Sequence, residues 1–127
     1  MTKKRIIFKG MLKCSHIHKI KQVISFYFVF FEVLTVYIPN FVEKDQFEKI
    51  AKMLVDLDEN IPFHILAFFP EYKLMDYRAP TLNEILDTYL TVKKIGLNKV
   101  KIGNLGVFIK NEAEMNKFLE IAGPDAI

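Results

Sequence analysis

The chain has 127 residues, 51% hydrophobic and 26% charged, with a net charge of +3. That length favours one domain with a real core, and the composition excludes a disordered chain. A single cysteine, Cys14, excludes an intrachain disulfide and a cysteine-built iron–sulfur or structural zinc site, and it fits a reducing cytoplasm.

The charge is unevenly spread. Residues 1–31 hold seven basic side chains and no acid, leaving eleven basic and fifteen acidic groups, net −4, on residues 32–127. The chain therefore divides into a basic N-terminal segment, 1–30, and a mildly acidic domain, 31–127. The basic segment is read as a solvated, poorly ordered arm in preference to a specific nucleic-acid or membrane contact. Cys14, His16 and His18 in this arm lack the context that activates a thiol, so an inert cysteine is expected. The apolar run at 23–31 (VISFYFVFF) follows the arm as in a signal peptide. No small-residue cleavage site follows, Glu32 interrupts it, and nine residues fall short of the roughly 20 needed to span a bilayer. A buried strand or helix is the better reading.

From there the elements alternate. Residues 32–38 (EVLTVYI) are β-branched and aromatic and stop at Pro39 and Asn40, a strand with a turn signal. Across 43–57, Phe47, Ile50, Ala51, Leu54 and Leu57 recur at helical spacing, with Glu43 and Asp45 in the first turn, where acids suit the helix dipole. Residues 61–69 (IPFHILAFF) form a second strand, apolar on both faces as in a parallel sheet. Alternation sets Phe63, Ile65, Ala67 and Phe69 on one side and His64, Leu66 and Phe68 on the other.

Thr81 and Glu84 make a capping box for a helix starting near Leu82, whose apolar side carries Ile85, Leu86, Tyr89 and Val92 and which ends at Gly96. Residues 98–102 (NKVKI) are a short third strand. Asn111 caps a last helix with Met115, Phe118, Leu119 and Ala122 on one face, ended by Gly123 and Pro124. The order β-α-β-α-β-α gives an α/β fold of three consecutive βα units with parallel strands. Three strands leave two open edges, to be covered by the N-terminal segment, by a second copy of the chain or by a partner.

Ligands of parallel α/β folds bind beyond the carboxyl ends of the strands. That rule selects Pro39 and Asn40, then Tyr72 and Lys73 with their neighbours, then Asn104 within "GNLG". Asn40 and Asn104 read equally as ordinary turn residues, and Lys73 reads more readily as a solvated surface lysine than as a ligand contact. The glycines match neither a dinucleotide fingerprint nor a P-loop, and no His-x-x-x-His, paired cysteines or G-x-S-x-G occurs. His64 is either a hydrogen-bonded core residue or a group serving a site.

The ordered series "FFEVLTVYIPN", "NIPFHILAFFPEYKLMD", "APTLNEIL" and "GLNKVKIGNLGVF" resembles the C-terminal part of radical S-adenosylmethionine enzymes, in the branch similar to pyruvate formate-lyase activating enzymes, over about residues 31–110. The resemblance implies half of a partial TIM-like (β/α) barrel, a [4Fe–4S] cluster that cleaves S-adenosylmethionine, and protein or small-molecule radical substrates. It implies that Ile38, Pro39, Asn40 and His64 contribute to the adenosine side of the pocket. The family's C-x-x-x-C-x-x-C cluster motif and its Gly-Gly-Glu-type segment are missing. Ala67 and Phe69 stand where many relatives carry Arg and His. The expectation is a truncated family member, inactive alone. The alternative is a non-catalytic module that self-associates or completes a partner's barrel, with no specific nucleic acid and no membrane span. Tyr72, Lys73 and Asn104 remain substrate-pocket candidates. No catalytic or metal-ligating residue is assigned.

Overall fold

A computed structural model describes residues 2–8, 29–70 and 77–127. Strand β1 (Thr2–Phe8) is followed by β2 (Val29–Tyr37), helix α1 (Lys44–Leu57), β3 (Phe63–Ala67), α2 (Leu82–Ile95), β4 (Val100–Gly103), a 3-10 turn at Leu105–Val107, α3 (Glu112–Ile121) and a 3-10 turn at Pro124–Ala126. The expected three βα units are β2-α1, β3-α2 and β4-α3.

The strands form one parallel sheet in the order β1-β2-β3-β4. The register sets Val33 beside Phe63 and Phe63 beside Val100. It also lines up Leu34, His64 and Lys101 across three strands. Sequential strand order with crossovers of one hand puts every crossover helix on the same face of the sheet. A doubly wound sheet would instead reverse its strand order at a switch point.

The packing agrees. Val33, Phe63, Ile65, Ala67, Val100 and Ile102 from the strands join Phe47, Ile50, Leu54, Ile85 and Val92 from the helices in one buried cluster. Ring contacts tie the layers: Phe47 meets Tyr37 at 5.8 Å and Phe63 at 5.9 Å between centroids. Phe118 of α3 is fully buried and meets Phe108 at 6.3 Å.

Local chemistry fixes the helix ends. Glu43 caps α1 in a capping box with Gln46, and Thr81 caps α2 in the box with Glu84. Asn111 caps α3 by accepting from the Glu114 N–H at 2.9 Å. Gly96 closes α2 at φ 127°, a value glycine adopts without steric cost. Gly103 lies close against the neighbouring strand, and a larger residue there would make the Leu66 side chain shift. A Cβ there would lie 2.6 Å from Leu66 Cδ2 on the neighbouring strand.

Three expectations need correction. The strand expected at 61–69 runs only over Phe63–Ala67. Phe69 does not join the buried row but is 58% exposed. Pro70 has no N–H for a ladder and restricts the residue before it, so the strand ends early. The strand expected at 98–102 is shifted to Val100–Gly103. Leu119, expected on the buried side of α3, is 37% exposed, because only the Phe118 line of this short helix reaches the core.

Both edges of the three strands β2, β3 and β4 have neighbours. β1, from the basic segment, pairs with β2 along its whole length. At the other edge, the C-terminal turn packs beside β4, with Ala126 fully buried. Among the described residues, no helix is long and apolar enough to cross a membrane.

Candidate functional site: a charged cavity at the amino-terminal ends of β3 and β4

The face of the sheet that no described helix covers is polar at one end. Successive side chains alternate, so burying Phe63 and Ile65 turns His64 and Leu66 to the opposite face. There His64 meets Glu32 of β2, and its Nε2–H donates to Glu32 Oε2 at 2.9 Å. The carboxylate can only accept, so Nε2 carries the proton in this contact. Glu32 is 9% exposed. A carboxylate this buried requires hydrogen-bonding partners, and His64 is one of them.

A cavity of about 500 Å³ opens beside this pair. Lys101 contributes from β4, opposite His64 in the parallel register. Lys99 lies two residues earlier, so it shares that face. The cavity continues around the β4 edge to Lys93 of α2 and to Asp125 of the C-terminal turn. Lys101 Nζ donates to the Asp125 carbonyl oxygen, and Lys93 Nζ donates to the Asn98 carbonyl oxygen at 3.1 Å. Tyr89 OH donates to the Ala122 carbonyl at 3.3 Å. Burial, then the Asp125 charge, raises the Tyr89 phenol, which therefore stays protonated.

The carboxyl ends of the strands look different. Asn40 and Asn104 both hold left-handed backbone, at φ 67° and 61°. Ile38 exchanges two backbone hydrogen bonds with Val42, so the Pro39–Asn40 corner is a closed turn, with Pro39 buried and Asn40 exposed. Asn104 Nδ2 donates to the Ala67 carbonyl at 3.0 Å and lines a second cavity of about 380 Å³ with Phe69, Gly106 and Val107. Phe41, 61% exposed, and Tyr77 stack edge-on nearby at 6.5 Å.

Beneath this rim, Tyr37 OH donates to Glu84 Oε2 at 3.5 Å, and Arg78 binds both Glu84 oxygens at 2.7 and 2.8 Å. The Arg78 hydrogen bonds, opposed by partial burial and aided by Thr81, hold the Glu84 carboxyl down to about 2. Burial, then the Glu84 charge, pushes the Tyr37 phenol well above its usual range.

The structure therefore separates the residues assigned to the adenosine side of a pocket. His64 pairs with Leu34, four residues before Ile38 on β2. At roughly 3.3 Å per residue, that is about 13 Å along the strand. His64 belongs to the amino-end cavity; Ile38, Pro39 and Asn40 form the turn at the opposite end. This arrangement does not fit a shared S-adenosylmethionine site. One cysteine also does not fit the cluster. Tyr72 and Lys73 lie outside the described residues. Asn104 lines the cavity of about 380 Å³.

Sequence reasoning missed Glu32, Lys99, Lys101 and Asp125. Glu32 registered only as a break in an apolar run. The signal for the lysines was present: the i, i+2 spacing of Lys99 and Lys101 puts both on one strand face. Connecting them to His64 required the inter-strand register.

Comparison of the chain with protein-family models, with curated proteins and with solved structures finds no match in any of the three.

Proposed function

We propose that the chain is a wall of a (β/α) barrel, related to radical S-adenosylmethionine enzymes of the pyruvate formate-lyase activating type, that does not cleave S-adenosylmethionine on its own. The observation that carries this reading is the singly wound sheet. Its strands run in sequential order, and α1 and α2 pack on one face, as in a barrel opened along its length. The resemblance of residues 31–110 supplies the family. The single cysteine supplies the loss of activity, since such a cluster needs three cysteine ligands from the protein. A cytoplasmic location belongs to the same reading.

The test is anaerobic reconstitution of the purified chain with iron and sulfide, followed by assay for 5′-deoxyadenosine. The expected result is no stable cluster absorbance and no product. A stable cluster, or S-adenosylmethionine cleavage by this chain alone, overturns the proposal.

A second reading is favoured by one observation. On the face that no described helix covers, Leu34, Val36 and Leu66 are half-buried rather than sealed like their neighbours on the other side. A barrel interior exposed in this way suits a module that self-associates or completes a partner's barrel. Light scattering on the eluting chain discriminates: a dimer supports assembly, and a monomer across the concentration range counts against self-association.

A further inference from the structure

We infer that the cavity beside His64 is a binding site for a small phosphorylated molecule. This does not rest on the barrel reading.

The argument starts from charge. Lys93, Lys99 and Lys101 converge on one cavity, and none of them forms an ion pair among the described residues. Lys93 and Lys101 are held in place by neutral carbonyl oxygens, which orient an ammonium group without cancelling its charge. The Lys99 side chain has no hydrogen bond among the described residues, its backbone carbonyl accepting from the Phe63 N–H. Elsewhere the chain does pair lysines with carboxylates, as Lys44 with Asp87 at 2.9 Å and Lys52 with Glu48 at 3.0 Å. Three like charges around one concavity repel each other, and a compact dianion relieves that repulsion at all three.

The acids in the cavity lower this field without reversing it, since three ammonium groups face the two carboxylates of Glu32 and Asp125. Glu32 is engaged with His64. Asp125 uses its backbone carbonyl, not its carboxylate, to hold Lys101. That leaves the Asp125 side chain as an acceptor for a hydroxyl on the ligand. A lysine is a point-charge donor with three N–H groups, which suits the spherical array of phosphate oxygens better than the flat fork of a carboxylate. The volume, about 500 Å³, exceeds what one phosphate fills and falls in the range of small-metabolite pockets. The ligand class is therefore a phosphate monoester on a small hydroxylated carbon skeleton.

The experiment is titration of the full-length chain, followed by amide NMR, with inorganic phosphate, glycerol 3-phosphate, acetate and chloride at matched ionic strength. The expected result is saturable shifts at residues 64 and 99–101 with both phosphates, tighter for the ester, and only weak, unsaturated drift with acetate and chloride. Lys99→Ala removes an ammonium that holds nothing else in the fold. It is expected to weaken the phosphates about tenfold, the loss of one charge-assisted contact. Lys93→Ala is expected to act in the same direction. Lys110→Ala, whose side chain reaches Gly106 outside the cavity, is expected to leave binding unchanged. Equal response to chloride, equal binding of acetate, or undiminished phosphate binding in Lys99→Ala and Lys93→Ala overturns the proposal. Tighter binding of inorganic phosphate than of the ester overturns the monoester assignment.

Discussion

On the helix-covered face, β3 presents Phe63, Ile65 and Ala67, each at most 1% exposed; on the opposite face the same strand presents His64 and Leu66, both half-buried. β2 and β4 repeat the contrast, with Val33, Val100 and Ile102 inward and Glu32 and Lys101 outward. One face is sealed by α1 and α2 and holds the apolar cluster. The other carries the buried carboxylate, the histidine and the lysines of the cavity. A period of two lets one short strand serve both ends, because each residue answers to one face only. The lesson is that stability and binding chemistry are separable here by single substitutions at adjacent positions.

The largest break in that separation comes from the sealed face. Phe63→Ala empties a ring site that touches Phe47 and has no route to solvent. It is expected to cost about 3–5 kcal/mol, read as a lower urea midpoint at unchanged slope. A cost below about 1 kcal/mol means that this face is not the core.

Thr35 is the exception that sharpens the contrast. It points to the sealed face, is fully buried, and its Oγ1 has no hydrogen-bond partner among the described residues. Burying an unpaired hydroxyl costs about 1–3 kcal/mol. Thr35→Val, nearly the same shape, is therefore expected to stabilise by about 1 kcal/mol in the same urea assay. Destabilisation would mean that the hydroxyl is satisfied in solution, for instance by water.

Much of the sealed face was legible in the sequence, and the reason is physical. The 3.6-residue spacing of Phe47, Ile50, Ala51 and Leu54, the acids Glu43 and Asp45 in the first turn and the capping box at Thr81 are local signals, and local signals set helices. The alternation across Phe63, Ile65 and Ala67 likewise needs no partner strand to be read. The failures came where the outcome depended on something distant. Phe69 has the right parity for the core, but the chain leaves the sheet before reaching it. The cavity joins Glu32 to His64 across 32 residues and to Lys101 across another strand, and only the register decides that meeting. The carboxyl-end rule drew attention to Asn40 and Asn104, whose left-handed backbones close turns. The half-buried charge gathers at the other end.

The rim between the faces offers a smaller, pH-dependent test. Glu84 binds Arg78 and caps α2, and its carboxyl is held at about 2, below the ordinary carboxylate value of about 4.3. Stability from this depression is present above the ordinary value and is lost as pH falls from there toward about 2. Glu84→Gln keeps a cap acceptor but not the charge, and it is expected to cost about 1 kcal/mol at pH 7. The gap between the two proteins is expected to shrink on acidification through that window. A gap independent of pH between about 5 and 2 contradicts the assignment.

The smallest expected effect lies one residue from the largest. His64→Gln replaces the imidazole with an amide that still offers an N–H to Glu32, so the buried carboxylate keeps a donor. Exchanging one N–H donor for another at the same carboxylate changes a single hydrogen bond, so the cost is expected to stay below about 1 kcal/mol. His64→Gln should therefore shift the urea midpoint by a fraction of the Phe63→Ala shift. It alters the lining of the cavity all the same, so a near-silent stability change with altered phosphate shifts at residues 99–101 is the combined expectation. If His64→Gln costs as much as Phe63→Ala, the outward face is as essential to folding as the inward one. The cavity would then have to be read as part of the core.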